Sequence, residues 1–199
     1  MTGLLASIEN LTPPGSGGGF SPYYVTHTAG SGTQTIPAGC SSMTVAPWGG
    51  GAAGGPYWTT ADNSGGGGGS GGNGQSTFAI VAADWGKTLT WAVGTGGAGV
   101  SSGTSNAGTA STVTNGTFAT TVAMSAGGGA AGTKFSGGTG GVSTGAQSNV
   151  GGNNGGVPDG ASGLVGLNGY SFGAGGDGAL TNGATSGSGH DGGVVFYFA

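Results

Sequence analysis

Residues 49–74, GGGAAGGPYWTTADNSGGGGGSGGNG, constrain this chain more than any other stretch. They hold five consecutive glycines, Gly65 to Gly69, and almost no aliphatic side chain. A second glycine field runs from Gly127 to Gly193, and 55 of the 199 residues are glycine. Such chain has little apolar surface to bury and loses more entropy on ordering than any other. A fold for this sequence must therefore say where the bare N–H and C=O groups find partners.

Charge separates order from disorder here. Disordered chains usually carry many charges and few apolar residues. This one is 4% charged and 34% hydrophobic, which points to a packed domain with a surface of Ser, Thr, Asn and peptide groups. Its cations are Lys87 and Lys134, and its net charge is −4. Nucleic acid is not expected as a partner, because phosphate neutralisation needs several Lys or Arg. Docking on an anionic membrane is disfavoured for the same reason. No apolar run approaches the ~20 residues of a spanning helix. The N-terminus lacks the basic and apolar regions of a signal peptide. A lone cysteine, Cys40, excludes an intrachain disulfide and a CxxC metal site, and reads as a small buried hydrophobe.

In chain order, residues 2–11 place Leu4, Leu5, Ile8 and Leu11 on one helical face, with Thr2 to cap and Pro13-Pro14 to stop. A helix this short needs a partner for its stripe. Two readings are open: it packs on its own domain, or it anchors the chain to a neighbouring protein. Residues 12–19 read as linker, so 1–19 form an N-terminal helical arm and 20–199 a domain.

From Phe20 the period changes to two. Strands are expected in FSPYYVTHT, TQTIP, SSMTVAPW (Met43 and Val45 inward), STFAIVAADW (Phe78, Ile80 and Ala82 on one face), KTLTWAVG (Leu89, Trp91 and Val93 inward) and the closing GGVVFYFA (Val194, Phe196 and Phe198). Asp84-Trp85-Gly86 reads as a turn, and STVTNGTFATTVAMS as a hairpin turning at Asn115-Gly116. About eight short strands with turns between them predict an all-β sandwich or jelly-roll. The last strand, apolar on both faces, is expected to be central or covered.

Within the glycine fields a step of three recurs: Gly137 and Gly140, Gly138 and Gly141, Gly160, Gly163, Gly166 and Gly169, Gly173 and Gly176. Polyproline II geometry has three residues per turn and no internal hydrogen bonds, so a glycine at every third position gives it one bare edge. Neighbouring helices of that kind could pair through their backbones. The fields are therefore read as inserted polyglycine II helices, with Gly65 to Gly69 buried and packed on the segment 160–169. Long irregular loops are the other reading, although such loops are uncommon in compact domains.

The order TIPAGCSSMTVAPWGGGAAGG, GGGGGSGG, TLTWAVGTGGAG and GHDGGVVFYF resembles the glycine-rich domain of bacteriophage tail-fibre and other virion surface proteins. It is also similar to the glycine-rich, tumour-necrosis-factor-like region of anaplastic lymphoma receptor kinases. The resemblance covers residues 20–199. It implies a jelly-roll-like sandwich carrying polyglycine II helices and a virion location. A homotrimeric fibre tip, spike or head-decoration protein used for host or surface adhesion is the implied role. The alternative is a structural cement of capsid or tail. Expected partners are other virion proteins, held through the arm (Leu4, Leu5, Ile8, Leu11), and a host-cell glycan or surface protein.

Chemistry is sparse. Only His27 and His190 could act as a base, and nothing places a nucleophile and an orienting group with either, so no enzyme activity and no cofactor are expected. Asp62, Asp159, Asp177 and Asp191 lie in turns that could hold Ca²⁺, but no nonapeptide repeat supports this and no metal site is assigned. Tyr57, Trp58, Tyr170 and Phe172 interrupt the glycine fields and are the candidate ligand-binding aromatics; the competing reading has them capping the core.

Overall fold

A computed structural model describes residues 19–57, 64–156, 160, 164–165, 171–181 and 183–199. Twelve strands follow in order among them: β1 (Tyr23–His27), β2 (Ser31–Thr35), β3 (Ser42–Trp48), β4 (Asn73–Ala79), β5 (Thr88–Ala92), β6 (Ser111–Asn115), β7 (Ala123–Ala126), β8 (Ser143–Thr144), β9 (Ser148–Val150), β10 (Leu164–Val165), β11 (Ser171–Phe172) and β12 (Gly193–Phe198). They form two antiparallel five-stranded sheets, β1-β12-β3-β4-β9 and β2-β5-β6-β7-β8, with β10-β11 as a separate pair. The chain is an all-β sandwich.

Period-two patterning explains the core. Met43, Val45, Val194, Phe196 and Phe198 of one sheet face Leu89, Trp91, Val113 and Met124 of the other in one buried cluster. Burying a side chain of this size stabilises by about 1.5–3 kcal/mol. The closing strand β12 lies between β1 and β3, as its two apolar faces require. Its outward Val195 joins Ala46, Trp48 and Phe172 in a second buried cluster.

Local expectations needed three corrections. β4 ends at Ala79, and Ala82 lies in an exposed 3-10 turn, Ala82–Asp84, instead of continuing the face of Phe78 and Ile80. The turn ends at Gly86, whose φ of 77° is left-handed. The 111–126 hairpin exists, with Thr114 paired to Ala123, but Asn115-Gly116 is not its two-residue turn. The loop is longer because Phe118 folds back into the core, and the Asn115 side chain bridges it to Phe118 O, Thr120 O and Val122 N. β8 to β11, which carry no alternating apolar pattern, were not expected as strands. The arm 1–18, including Leu4, Leu5, Ile8 and Leu11, lies outside the described residues, as do Gly163, Gly166 and Gly169.

The glycine fields are extended segments that continue the strands. Segment 49–56 leaves β3, and 64–72 returns to β4. Segments 93–100 and 105–110 do the same between β5 and β6, and 127–133 and 136–142 between β7 and β8. Segment 151–156 leaves β9, 173–180 leaves β11, and 186–192 enters β12. Their backbones pair at every third residue. Gly65, Gly68 and Gly71 donate to Ala179, Gly176 and Gly173; Gly66, Gly69 and Gly72 donate to Thr133, Ala130 and Gly127; Gly67 and Ser70 donate to Gly156 and Asn153. Segment 49–55 is ringed by six others. It donates to 64–72, 105–110 and 186–192, and accepts from 93–100, 127–133 and 173–180.

Gly65 to Gly69 are thus buried, and their N–H groups donate to 130–133, 156 and 176–179; most of the segment 160–169 expected beside them lies outside the described residues. Of that segment, Gly160 and the β10 pair Leu164–Val165 are described, and Gly160 N donates to Asp177 Oδ1 at 2.7 Å beside segment 173–180. Its added Cβ would meet the backbone of Gly175 and Gly176. A Cβ on Gly54 or Gly68 would overlap a carbonyl of Asp177 or Ala52. Ala52 and Ala53 keep their methyls because theirs fit between segments, at 0% exposure.

Candidate functional site

Strand direction gives the molecule two ends. Tyr23 pairs with Phe198, and Ser42 N donates to Ala199 O at 2.8 Å. The first described residues and the C-terminus therefore lie at one end, here called the base. Every glycine-rich excursion leaves from the opposite end of the sheets. The described outer ends of these excursions, at Tyr57, 101–104, 134–135, Gly156 and 180–181, fall together at a distal tip. Cross-segment bonds Gly55–Gly66, Gly54–Gly187, Gly132–Ala53 and Gly67–Gly156 set that level.

The tip brings together Pro56, Gly103 to Ser105 and Gly132 to Phe135 around a cavity of about 320 Å³. Phe135 is 65% exposed and Leu180, on the neighbouring turn, 63%. The turn under Phe135 is pinned locally: Thr133 N donates to Ser136 O at 2.9 Å, and Ser136 N to Thr133 Oγ1 at 3.1 Å. Sequence reasoning missed both residues. The signal was one large apolar residue isolated in a glycine field, as in Thr133-Lys134-Phe135-Ser136 and Ala179-Leu180-Thr181.

The expected aromatics separate. Tyr57 is half-buried next to Pro56 at the tip. Trp58 and Tyr170 lie outside the described residues. Phe172 is buried, its ring 5.3 Å from that of Trp48, where it covers the outer face of β12. Phe172 is thus a core-capping residue and is corrected as a candidate ligand contact: its ring already has neighbours that exclude a ligand. At the base, Tyr23, Tyr24, Val81 and Trp85 are exposed by 40–61%.

The titratable groups serve the fold. Asp191 Oδ1 accepts from Gly96 N at 2.7 Å, and Asp177 Oδ1 accepts from Gly160 N, so both carboxylates substitute for carbonyls in the backbone pairing. No group of three or more His, Cys, Asp or Glu that could hold a metal lies among the described residues. Cys40 is buried; burial pushes its thiol up, while the backbone opposes the shift. His27 stacks on Trp91 at 3.8 Å and 14°, with its Nε2 3.3 Å from Gln34 Oε1.

Burial lowers the His27 pKa, against the opposing bond to Gln34. The unfolded chain then holds this proton more tightly than the folded one, so stability rises with pH across the interval. Neutral His27 contributes fully above the ordinary histidine value of about 6.5, and the contribution fades as pH falls through the lowered folded value. We expect the urea midpoint to drop between about pH 7.5 and 5, and His27→Gln to flatten that drop. An equal drop in both proteins would assign it to other groups.

No family model and no curated protein matches the chain. Fold and site therefore define its class: an all-β sandwich with a distal, glycine-supported loop tip.

Proposed function

We propose that this protein is a bacteriophage virion surface protein, a fibre tip, spike or head decoration, that adheres to a host cell or surface through its distal turns. The observation that carries this reading is its polarity. The first described residues and the C-terminus lie at the base, while the described outer ends of the strand excursions gather at the far end. A body attached at the base would present that tip outward. Exposed aromatics at the base suit contact with other virion proteins, and the trimer expected from the resemblance belongs to the same reading.

The extended segments are, in this reading, polyglycine II helices. Pairing at every third residue matches three residues per turn. Their packing makes a stiff support with few side chains to protrude. The sandwich is jelly-roll-like in switching sheets between β1 and β2, β2 and β3, β4 and β5, and β8 and β9; the meander β5 to β8 departs from it.

Adsorption tests the reading. Fluorescently labelled protein should bind cells of the phage's host, and free protein should slow phage adsorption. If it binds no cells, while particles lacking it lose thermal stability, the protein is a structural cement instead.

A further inference from the structure

We infer that the tip cavity between Pro56, Gly103, Thr104 and Thr133 to Phe135 is a binding site for one uncharged sugar ring, a neutral pyranose at the end of a glycan. The inference rests on the adhesion reading and names its ligand class. Three observations carry it.

The first is size. About 320 Å³ is at the lower end of the roughly 300–1,000 Å³ of small-molecule sites. It suits one ring better than an extended peptide, which needs a groove or a free sheet edge.

The second is the contrast within the lining. Phe135, largely exposed, and Pro56 give it an apolar part. The turn that carries Phe135 is held by bonds from Thr133 N, Thr133 Oγ1, Phe135 N and Ser136 N, so little ordering remains to be done on binding. Gly103 and Thr104 give it a polar part. Both are exposed, and neither has a hydrogen-bond partner among the described residues. A Cβ on Gly103 would meet nothing within 4 Å, so its backbone is uncovered on that side. The N–H and C=O groups of this pair and the Thr104 hydroxyl are therefore open to a ligand. A pyranose is built to the same contrast: an apolar C–H face and an edge of hydroxyls that donate and accept. Its face against Phe135 takes apolar area out of water and supplies affinity. Its hydroxyls exchange water for Gly103 and Thr104 at small net gain, and so fix its orientation.

Charge is the third observation. Lys134 is the ionisable residue of the lining, and it already has a partner within the protein. No described carboxylate lines the cavity. An ionic ligand would give up hydration there without gaining an unmatched counter-charge, a cost that a neutral ring escapes.

The test uses the full chain and probes at millimolar concentration: the methyl glycosides of glucose, galactose, mannose and N-acetylglucosamine, with methyl glucuronide as the charged comparison. Saturation-transfer NMR should detect at least one neutral probe, most strongly at its ring C–H protons, and the glucuronide should bind no tighter than that probe. Phe135→Ala should weaken the neutral probe about tenfold, and Phe135→Tyr should restore it. Leu180→Ala removes an equally exposed side chain from the neighbouring turn, outside the cavity lining, and should leave binding unchanged. Melting temperature should not change in the Phe135 variants, since Phe135 is exposed. Silence from every neutral probe, a tighter glucuronide, full binding by Phe135→Ala or an equal loss in Leu180→Ala would each overturn the inference. Cell adsorption is measured in parallel. Adsorption with no sugar binding would remove the cavity assignment alone, whereas sugar binding with no adsorption would keep the site and remove the adhesion reading.

Discussion

Gly68→Ala should leave no folded protein. Gly68 is buried in segment 64–72, and an added methyl there would overlap the carbonyl of Ala52. That neighbour is backbone and cannot rotate away. It is also held on both sides: Ala52 N donates to Gly69 O at 2.9 Å, and Ala52 O accepts from Gly176 N at 2.8 Å. Moving it far enough breaks these bonds and the bond from Gly68 N to Gly176 O. Overpacking costs about 1–3 kcal/mol where side chains can shift. Each buried polar group left unpaired adds roughly 1–3 kcal/mol. The total is comparable to the ~5–15 kcal/mol by which a domain is stable. Soluble yield and a thermal melt check it. Two controls grade the effect. Gly86→Ala, with open space but φ of 77°, should cost about 1–2 kcal/mol. Gly19→Ala, with nothing within 4 Å, should stay within about 0.5 kcal/mol. A normal melt for Gly68→Ala would refute close backbone packing in the glycine fields.

Deleting residues 2–19 should abolish incorporation into particles and leave the sandwich folded. The sequence puts Leu4, Leu5, Ile8 and Leu11 at helical spacing, ahead of a Gly/Pro linker. Among the described residues, the core cluster and the side chains packed on it run from Phe20 to Phe198. The chain enters the described fold at the base, next to exposed Tyr23 and Tyr24, so an anchor there would leave the distal tip free. Immunoblots of purified particles should show the deleted protein reduced to background, while its melting temperature stays within a few degrees of wild type. Normal incorporation would move the anchor to the base surface itself.

Side-chain pattern made the sandwich legible. Alternation identified Met43, Val45, Leu89, Trp91, Val194, Phe196 and Phe198, and all are buried. Such a pattern reports which face of a strand is dry, because successive side chains point to opposite faces. It failed where one residue overrode local preference. Phe118 draws the hairpin loop inward past the favoured Asn-Gly turn, and Phe172 covers β12, the core-capping one of its two readings.

The candidate site was less legible. Tyr57 lies at the tip, yet Pro56, Ser105 and the neighbours Lys134-Phe135 come from three stretches far apart in sequence and meet only because their segments run side by side. The spacing of three at Gly138 and Gly141, and at Gly173 and Gly176, did foretell pairing: those residues bond Gly67, Ser70, Gly71 and Gly68.

By itself, then, the sequence determined an all-β core, its inward residues, and the need for Gly65 to Gly69 to be buried among other backbones. Only the tertiary structure decided which backbones those are. Segments 49–55, 127–133, 136–141, 153–156 and 173–179 surround Gly65 to Gly72; the sequence suggested 160–169, most of which lies outside the described residues. The physical reason is that a glycine run carries no side chain to specify a partner. Its neighbours and register are inherited from the strands that launch each segment, and those strands are ordered by the core beneath them.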